Sequence, residues 1–335
     1  MTHRFPIKEI ARQAGLGTAT VDRVLNERAH VSALTRSRVA AAICELEDQQ
    51  GQLAARGRRL FVDIIVEAPV RFSREIRSAV EHVLPQISVG VFRPRFIFQE
   101  VMDDAEVAAA IRRVIKRGSQ GVCLKARNTD MIRSAVADMI SAGIPVVTLV
   151  TDLPGAGCFA YAGLDNANAG RTAAYLIGQL LPDEGTILTS RSHESFYGEA
   201  ERFDAFAATL PARCKRIDLS GGAGLSLHTS AQLEHLLQDG QRIDAVYSMG
   251  GGNAAILDAL EATGHAGLPF VAHDLDAENR RLLEAGKISF VLHHDLATDM
   301  RNAFQAIARH HRLLAQQDWA GPSDIQVVTP YNLPA

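Results

Sequence analysis

The sequence predicts an α/β protein: an all-α head over residues 1–50, a linker over 51–60, and two Rossmann-like α/β subdomains over 61–335. Three observations predict it. Apolar residues recur at helical spacing through the head. From Phe61 onward, strand-like runs alternate with amphipathic segments. Positive charge gathers at one end: residues 1–60 hold ten Lys or Arg against six Asp or Glu, a balance of +4, so the rest carries −7 to reach −3.

In the head, Ile7, Ile10, Ala11 and Ala14 fall at i, i+3, i+4 and i+7, on a helix that Pro6 can start and Gly15 can end. After the turn Gly15-Leu16-Gly17, the residues Val21, Val24 and Leu25 repeat that spacing and leave Thr18, Ala19, Asp22, Arg23 and Asn26 facing outward. Ser32 is the expected N-cap of a third helix, whose buried stripe is Val39, Ala42, Ile43 and Leu46. Such an arrangement describes a helix-turn-helix whose second helix enters a DNA major groove. Periodicity alone is equally compatible with an ordinary three-helix packing module.

The stretches IKEIARQAGLGTATVDRVLN and HVSALTRSRVAAAICEL resemble the LacI/GalR family of bacterial repressors. The resemblance implies a double-stranded, palindromic DNA operator read by Thr18, Ala19, Thr20, Arg23 and Asn26. It also implies a homodimer or a tetramer. Asp22 stands where the family usually has a small hydroxyl residue. In the segment DQQGQLAARGRRL the family forms a hinge helix that wedges a leucine into the minor groove. Here Gly57 holds the leucine position and Gln50-Gly51 replaces the usual proline-asparagine pair, which weakens the helix and removes the wedge, so that either Leu53 or Leu60 substitutes or the bend is smaller. Arg56, Arg58 and Arg59 remain as phosphate contacts or as a solvated charge run.

The strand-like runs are VDIIV, RFIFQEV, GVCLK, PVVTLV, FAYAGL, TILT, RIDL, DAVYSM, PFVAH and ISFVL. Between them lie helical segments such as Asp103 to Gly118, with Val107, Ile111, Val114 and Ile115 on one face. Alternation of this kind predicts parallel sheets covered on both faces, and the number of runs exceeds one comfortable sheet. The pattern is similar to the type I periplasmic-binding-protein-like core of the same repressors. That resemblance implies crossings near Leu164, His293 and Ser323, an N-subdomain of about 61–164 and 294–323, and a C-subdomain of about 165–293 and 324–335. The ligand would lie in the cleft between them, beyond the carboxyl ends of the strands.

Gly250-Gly251-Gly252-Asn253-Ala254-Ala255 follows the run DAVYSM, and Asp274 ends PFVAHD, at the spacing of a dinucleotide fingerprint. No second cofactor element accompanies it. The family resemblance instead gives Asn253 and Asp274 ligand-binding roles. It does the same for Arg202 in GEAERFDAF, whose fork of donors suits vicinal hydroxyls or a carboxylate. Phe72, expected in the loop after the first strand, offers an aromatic face for a sugar ring, or a core side chain. Asn166 could contact ligand or cap its helix. Of His293 and His294 at most one can face the cleft, because neighbours on a strand point opposite ways. His294 is the expected contact.

Cys44, Cys123, Cys158 and Cys214 are scattered without metal-ligand spacing, as in a reducing compartment. No GxSxG, HExxH, P-loop or paired-carboxylate pattern stands out, so no catalytic residue, metal or cofactor is expected. Neither an apolar signal core nor a run of about 18 apolar residues is present, so a cytoplasmic, nucleoid-associated location without membrane contact is expected. The functional expectation is a ligand-responsive repressor sensing a monosaccharide or cyclic polyol. A nucleotide-dependent oxidoreductase and a sugar-binding protein without regulatory role are the alternatives.

Overall fold

In the head, α1 (Ile7–Ala14), α2 (Thr18–Leu25) and α3 (Ala33–Ala55) bury Ile10, Ala11, Val21, Val39 and Leu46 together with Phe5. The computed structural model describes residues 4–28, 31–55, 59–181, 183–238, 240–315 and 321–334. Gly15 ends α1 in the left-handed region, at φ 61°, which costs a glycine little. Arg38 of α3 adds a second cap, donating from Nη2 to the Ala14 carbonyl at 2.8 Å. Ser32 Oγ accepts from the Thr35 amide at 3.1 Å, so the expected N-cap forms.

The linker reading needs adjustment at its start. Helix α3 runs through Gln50-Gly51 to Ala55, because the Gln, Leu and Ala around Gly51 favour helix enough to offset a glycine penalty of about 1 kcal/mol. Arg56, Gly57 and Arg58, and with them the phosphate contact expected of Arg56, lie outside the described residues.

The remaining chain alternates as expected. The first half holds β1 (Arg59–Glu67), α4 (Val70–Val83), β2 (Val91–Gln99), α5 (Asp104–Arg117), β3 (Gly121–Lys125), α6 (Asp130–Ser141), β4 (Val146–Leu149) and β5 (Ala160–Ala162). The second holds α7 (Asn166–Leu180), β6 (Gly185–Ser190), α8 (Tyr197–Thr209), β7 (Cys214–Leu219), α9 (Ser226–Gln238), β8 (Ala245–Ser248), α10 (Asn253–Ala262), β9 (Phe270–His273), α11 (Ala277–Glu284) and β10 (Phe290–His293). Then come α12 (Leu296–His310) and β11 (Gln326–Val328).

The strands form a five-stranded sheet, β2-β1-β3-β4-β5, and a six-stranded one, β11-β10-β9-β8-β6-β7. Both sheets are covered on two sides. Ile64 and Val66 of β1 enter one apolar cluster and Ile65 enters another, as alternating side chains must when both faces are buried. In β8, Val246 and Tyr247 divide in the same way. All ten expected runs become strands. The eleventh, β11, is short and pairs antiparallel with β10, Val328 opposite Val291. It escaped the sequence because three residues carry no readable period.

Three passages join the halves. Helix α12 leaves β10 and packs Met300, Ala303, Phe304 and Ile307 into the first half. It lies so close that a Cβ on Gly121 would meet Ile307 at 2.8 Å. The chain then returns to β11, and Leu164 bridges Ser323 where the outgoing and returning strands run side by side.

Candidate ligand cleft and DNA-facing helix

Strands of both sheets end on a common cleft, which holds about 610 Å³ counting its open mouth. From the first half it is lined by Ala68, Pro69, Arg71, Phe72, Lys125, Val150 and Thr151. From the second it receives Ser192, Phe196, Glu199, Arg202, Met249, Gly250, Gly251, His273, Asp274, Asp276 and Asn279. Apolar rings and paired charges in one concave wall suit a small polar ligand with an apolar face.

Arg202 lies on α8, only 2% exposed. Its Nε donates to Asn166 Oδ1 at 2.7 Å and its Nη1 to the Met249 carbonyl at 3.3 Å. Among the described residues no carboxylate forms an ion pair with it, so its charge remains available to the cleft. Gly170 permits this placement, since a Cβ there would sit 2.1 Å from the Arg202 carbonyl oxygen. Asn166 orients the guanidinium, whereas the cap of α7 is Asp165, whose side chain accepts from the Asn168 amide.

Asp274 follows β9 at φ 65°, a left-handed conformation that is unusual for a residue other than glycine. The neighbourhood over-determines it. Its amide donates to the Leu292 carbonyl at 3.0 Å, and Asn279 Nδ2 donates to its carbonyl at 2.7 Å. Its Oδ1 lies 3.4 Å from His294 Nε2. Burial would raise the Asp274 pKa, but His294, with Arg202 and His273 beyond, holds the carboxyl well below the usual range.

His294 is wholly buried, its Nδ1 hydrogen-bonded to the Asp299 carboxylate. Burial alone would lower its pKa. The hydrogen bonds and charges of Asp274 and Asp299 outweigh burial and push it up to about 9, so the ring is an imidazolium between two carboxylates. His273 is the opposite case: burial, then the charge of Arg202, drives its pKa well down, and its Nε2 meets the Tyr247 hydroxyl at 2.8 Å.

Phe72, Arg202 and Asp274 line the same cleft. Phe72, however, sits in the first turn of α4, not in a loop, and is 7% exposed. Its ring serves both the core and the cleft wall. Two other positions depart from expectation. Asn253 opens α10 with 1% exposure, away from the cleft lining, and donates from Nδ2 to Asn279 Oδ1 at 2.7 Å. His294 also lies behind the wall. Both reach the cavity through a neighbour, Asn279 and Asp274 respectively.

The glycine-rich turn has a local explanation. A Cβ on Gly250 would stand 2.3 Å from the Ser192 amide, and one on Gly251 would stand 1.8 Å from Arg71 Nη2. These glycines admit neighbouring chain and an arginine where the dinucleotide reading placed a pyrophosphate.

Several lining residues were not anticipated. Lys125 ends β3, donates from Nζ to the Glu67 carbonyl at 2.9 Å and stands 4.0 Å from the Phe196 ring centre. Burial lowers its pKa, against the pull of Glu199, Glu67 and Asp274. Glu199 accepts from the Ser192 amide at 2.7 Å and from its hydroxyl. The one sequence signal was positional: Lys125 closes an otherwise apolar strand at its carboxyl end. Among the described residues no group of three or more His, Cys, Asp or Glu is placed to hold a metal, and no helix is long and apolar enough to cross a membrane.

In the head, Thr18, Ala19, Arg23 and Asn26 are exposed and Thr20 is half-buried, so one face of α2 is open. Asn26 donates from Nδ2 to Asp22 Oδ1 at 2.9 Å, and Arg28 pairs with the same carboxylate at 3.4 Å. Asp22 is thereby turned toward the end of its own helix.

Residues 6–47 match the lacI family of bacterial regulatory proteins, and residues 92–312, more than half of the chain, match a periplasmic binding protein domain. The chain belongs to the periplasmic-binding-protein domain family and carries a LacI-family head. Over 124 residues this LacI-type chain is 35% identical to the HTH-type transcriptional regulator TreR of Escherichia coli (strain K12). That stretch is 35% of this chain and 37% of TreR, so only about a third of that relative's length is matched. Among solved structures, GanP, a glucose-galactose binding protein from Geobacillus stearothermophilus, superposes with a TM-score of 0.74 at 14% identity, over 83% of this chain and 100% of GanP. A putative LacI transcriptional regulator from Bacteroides fragilis gives 0.69 at 16% identity, over 82% and 98%. At these identities the likeness shows the fold alone.

Proposed function

We propose that this LacI-type protein is a ligand-responsive transcriptional repressor that binds a palindromic operator as a dimer. Its effector is a monosaccharide or cyclic polyol held in the cleft. The observation that carries this reading is one covalent chain holding an exposed α2 face and, behind it, a cleft that joins Phe72 to Arg202 and Asp274. Asp274 accepts from ligand hydroxyls, Arg202 donates to them, and Phe72 takes the apolar ring face. Thr18, Ala19, Thr20, Arg23 and Asn26 read the operator, Arg56 adds a phosphate contact, and residues 1–50, 51–60 and 61–335 act as head, linker and sensor. The glucose-galactose specificity in the name of GanP supports a sugar as the first class to try.

Calorimetry with a panel of sugars and polyols tests the effector assignment. One of them should bind the wild type and bind Asp274→Ala at least tenfold more weakly, the equivalent of about 1.4 kcal/mol. Binding of NAD alone, by a protein that takes no sugar or polyol, would favour the dinucleotide reading instead.

A further inference from the structure

One side chain crosses the cleft mouth and touches three loops of the opposite half. Arg71, in the first turn of α4, places its Nε 2.9 Å from Asp276 Oδ2. Its Nη1 donates to the Gly224 carbonyl at 3.0 Å. Its Nη2 fills the space where Gly251 lacks a side chain, and any Cβ there would collide with it at 1.8 Å. Gly224, Gly251 and Asp276 follow β7, β8 and β9, so one guanidinium gathers loops that follow three strands of the second sheet. Beside it, Pro69 lies 3.3 Å from the point a Cβ on Gly224 would occupy.

The acceptor is itself fixed. Asp276 is only 4% exposed and caps α11, accepting from the Asn279 amide at 2.8 Å. Asn279 in turn donates to the carbonyl of Asp274 and accepts from Asn253. Arg71 therefore pulls on a rigid unit containing the carboxylate assigned to the ligand. A planar fork that pairs with a carboxylate and donates to a carbonyl at the same time is well suited to such a task, which a lysine could not perform.

We infer that Arg71 is a positioning residue for ligand capture: a strut that ties the two halves together across the cleft mouth and must let go for the cleft to open. This rests on the effector reading above only for the words "ligand capture"; the closure itself requires no effector. Val101 and Ala277 are exposed and lie on opposite halves, so they can carry spin labels introduced through unnatural amino acids, leaving the native cysteines untouched.

The test is the distance distribution between those labels in the full-length protein without ligand. Wild type should give one short distance. Arg71→Ala, and also Arg71→Lys, should add a longer one, with the open fraction rising about tenfold, as expected on losing a hydrogen-bonded charge pair. Unchanged circular dichroism would show that both variants keep the fold. A wild-type distribution already dominated by the long distance, or identical distributions in all three proteins, would overturn the strut. Neither result bears on whether a sugar binds, which the calorimetric experiment decides separately.

Discussion

At the residue scale, the cleft depends on charges held in fixed states by their neighbours. His294 illustrates this most directly, because its only described ionic partners are Asp274 and Asp299, and it has no exposed surface. A histidine whose folded pKa is raised contributes stability that is complete below its unfolded value, near 6.5, and disappears as pH rises through about 9. Wild-type melting temperature should therefore fall between those limits. His294→Gln, which has no proton to lose, should start lower and stay flat over the same window; a parallel fall in both proteins would place the titration elsewhere. In the head, Arg23 is the exposed cation of α2, in its last turn. Arg23→Ala should weaken operator binding by about 1–3 kcal/mol and relax preference at one base pair, read by selection from a randomised site. Unaltered affinity and preference would remove Arg23 from the base-reading set.

At the scale of elements, local rules wrote most of the fold. Asp103 and Glu106 form a complete capping box on α5, with the Glu106 amide donating to Asp103 at 2.8 Å and the Asp103 amide donating to Glu106 at 2.9 Å. Asp103→Ala should cost about 1 kcal/mol in denaturant unfolding, and no loss would mean that the α5 end is held by packing alone. The spacing of Val107, Ile111 and Val114 made that helix readable, as the apolar runs did for ten strands. What was not readable has a physical cause in each case. β11 is too short for a period. Helix α3 continues past its expected end because propensity summed over a whole turn overrode one glycine. Phe72 was placed in a loop because Pro69, which precedes α4, reads as a break as easily as a start. In the cleft, Arg202 and Asp274 were legible through a family pattern, whereas Lys125, Glu199 and Arg71 become neighbours only when two sheets face each other. Asn253 and His294 were assigned to the right region but one layer too far forward, since sequence position does not reveal which of two packed polar groups faces the cavity.

At the scale of the whole molecule, residues 1–60, head and linker together, carry a balance of +4 in a chain whose total is −3, so on the proposed reading the remainder repels the DNA that this end attracts. The two halves of the core meet through α12, which belongs to the first half by packing yet carries Asp299, the partner of His294 behind Asp274. On the proposed reading, a ligand that engages Asp274 acts on a group tied to both halves, and its coupling with operator binding would be reciprocal. The decisive measurement is a titration of operator DNA with the full-length protein, with and without the sugar or polyol identified calorimetrically. Saturating ligand should shift operator affinity at least fivefold in one direction, the lower end of ordinary allosteric coupling, and Asp274→Ala should bind operator normally without that shift. An operator affinity that the bound ligand leaves unchanged, or the absence of sequence-specific DNA binding altogether, would contradict the account.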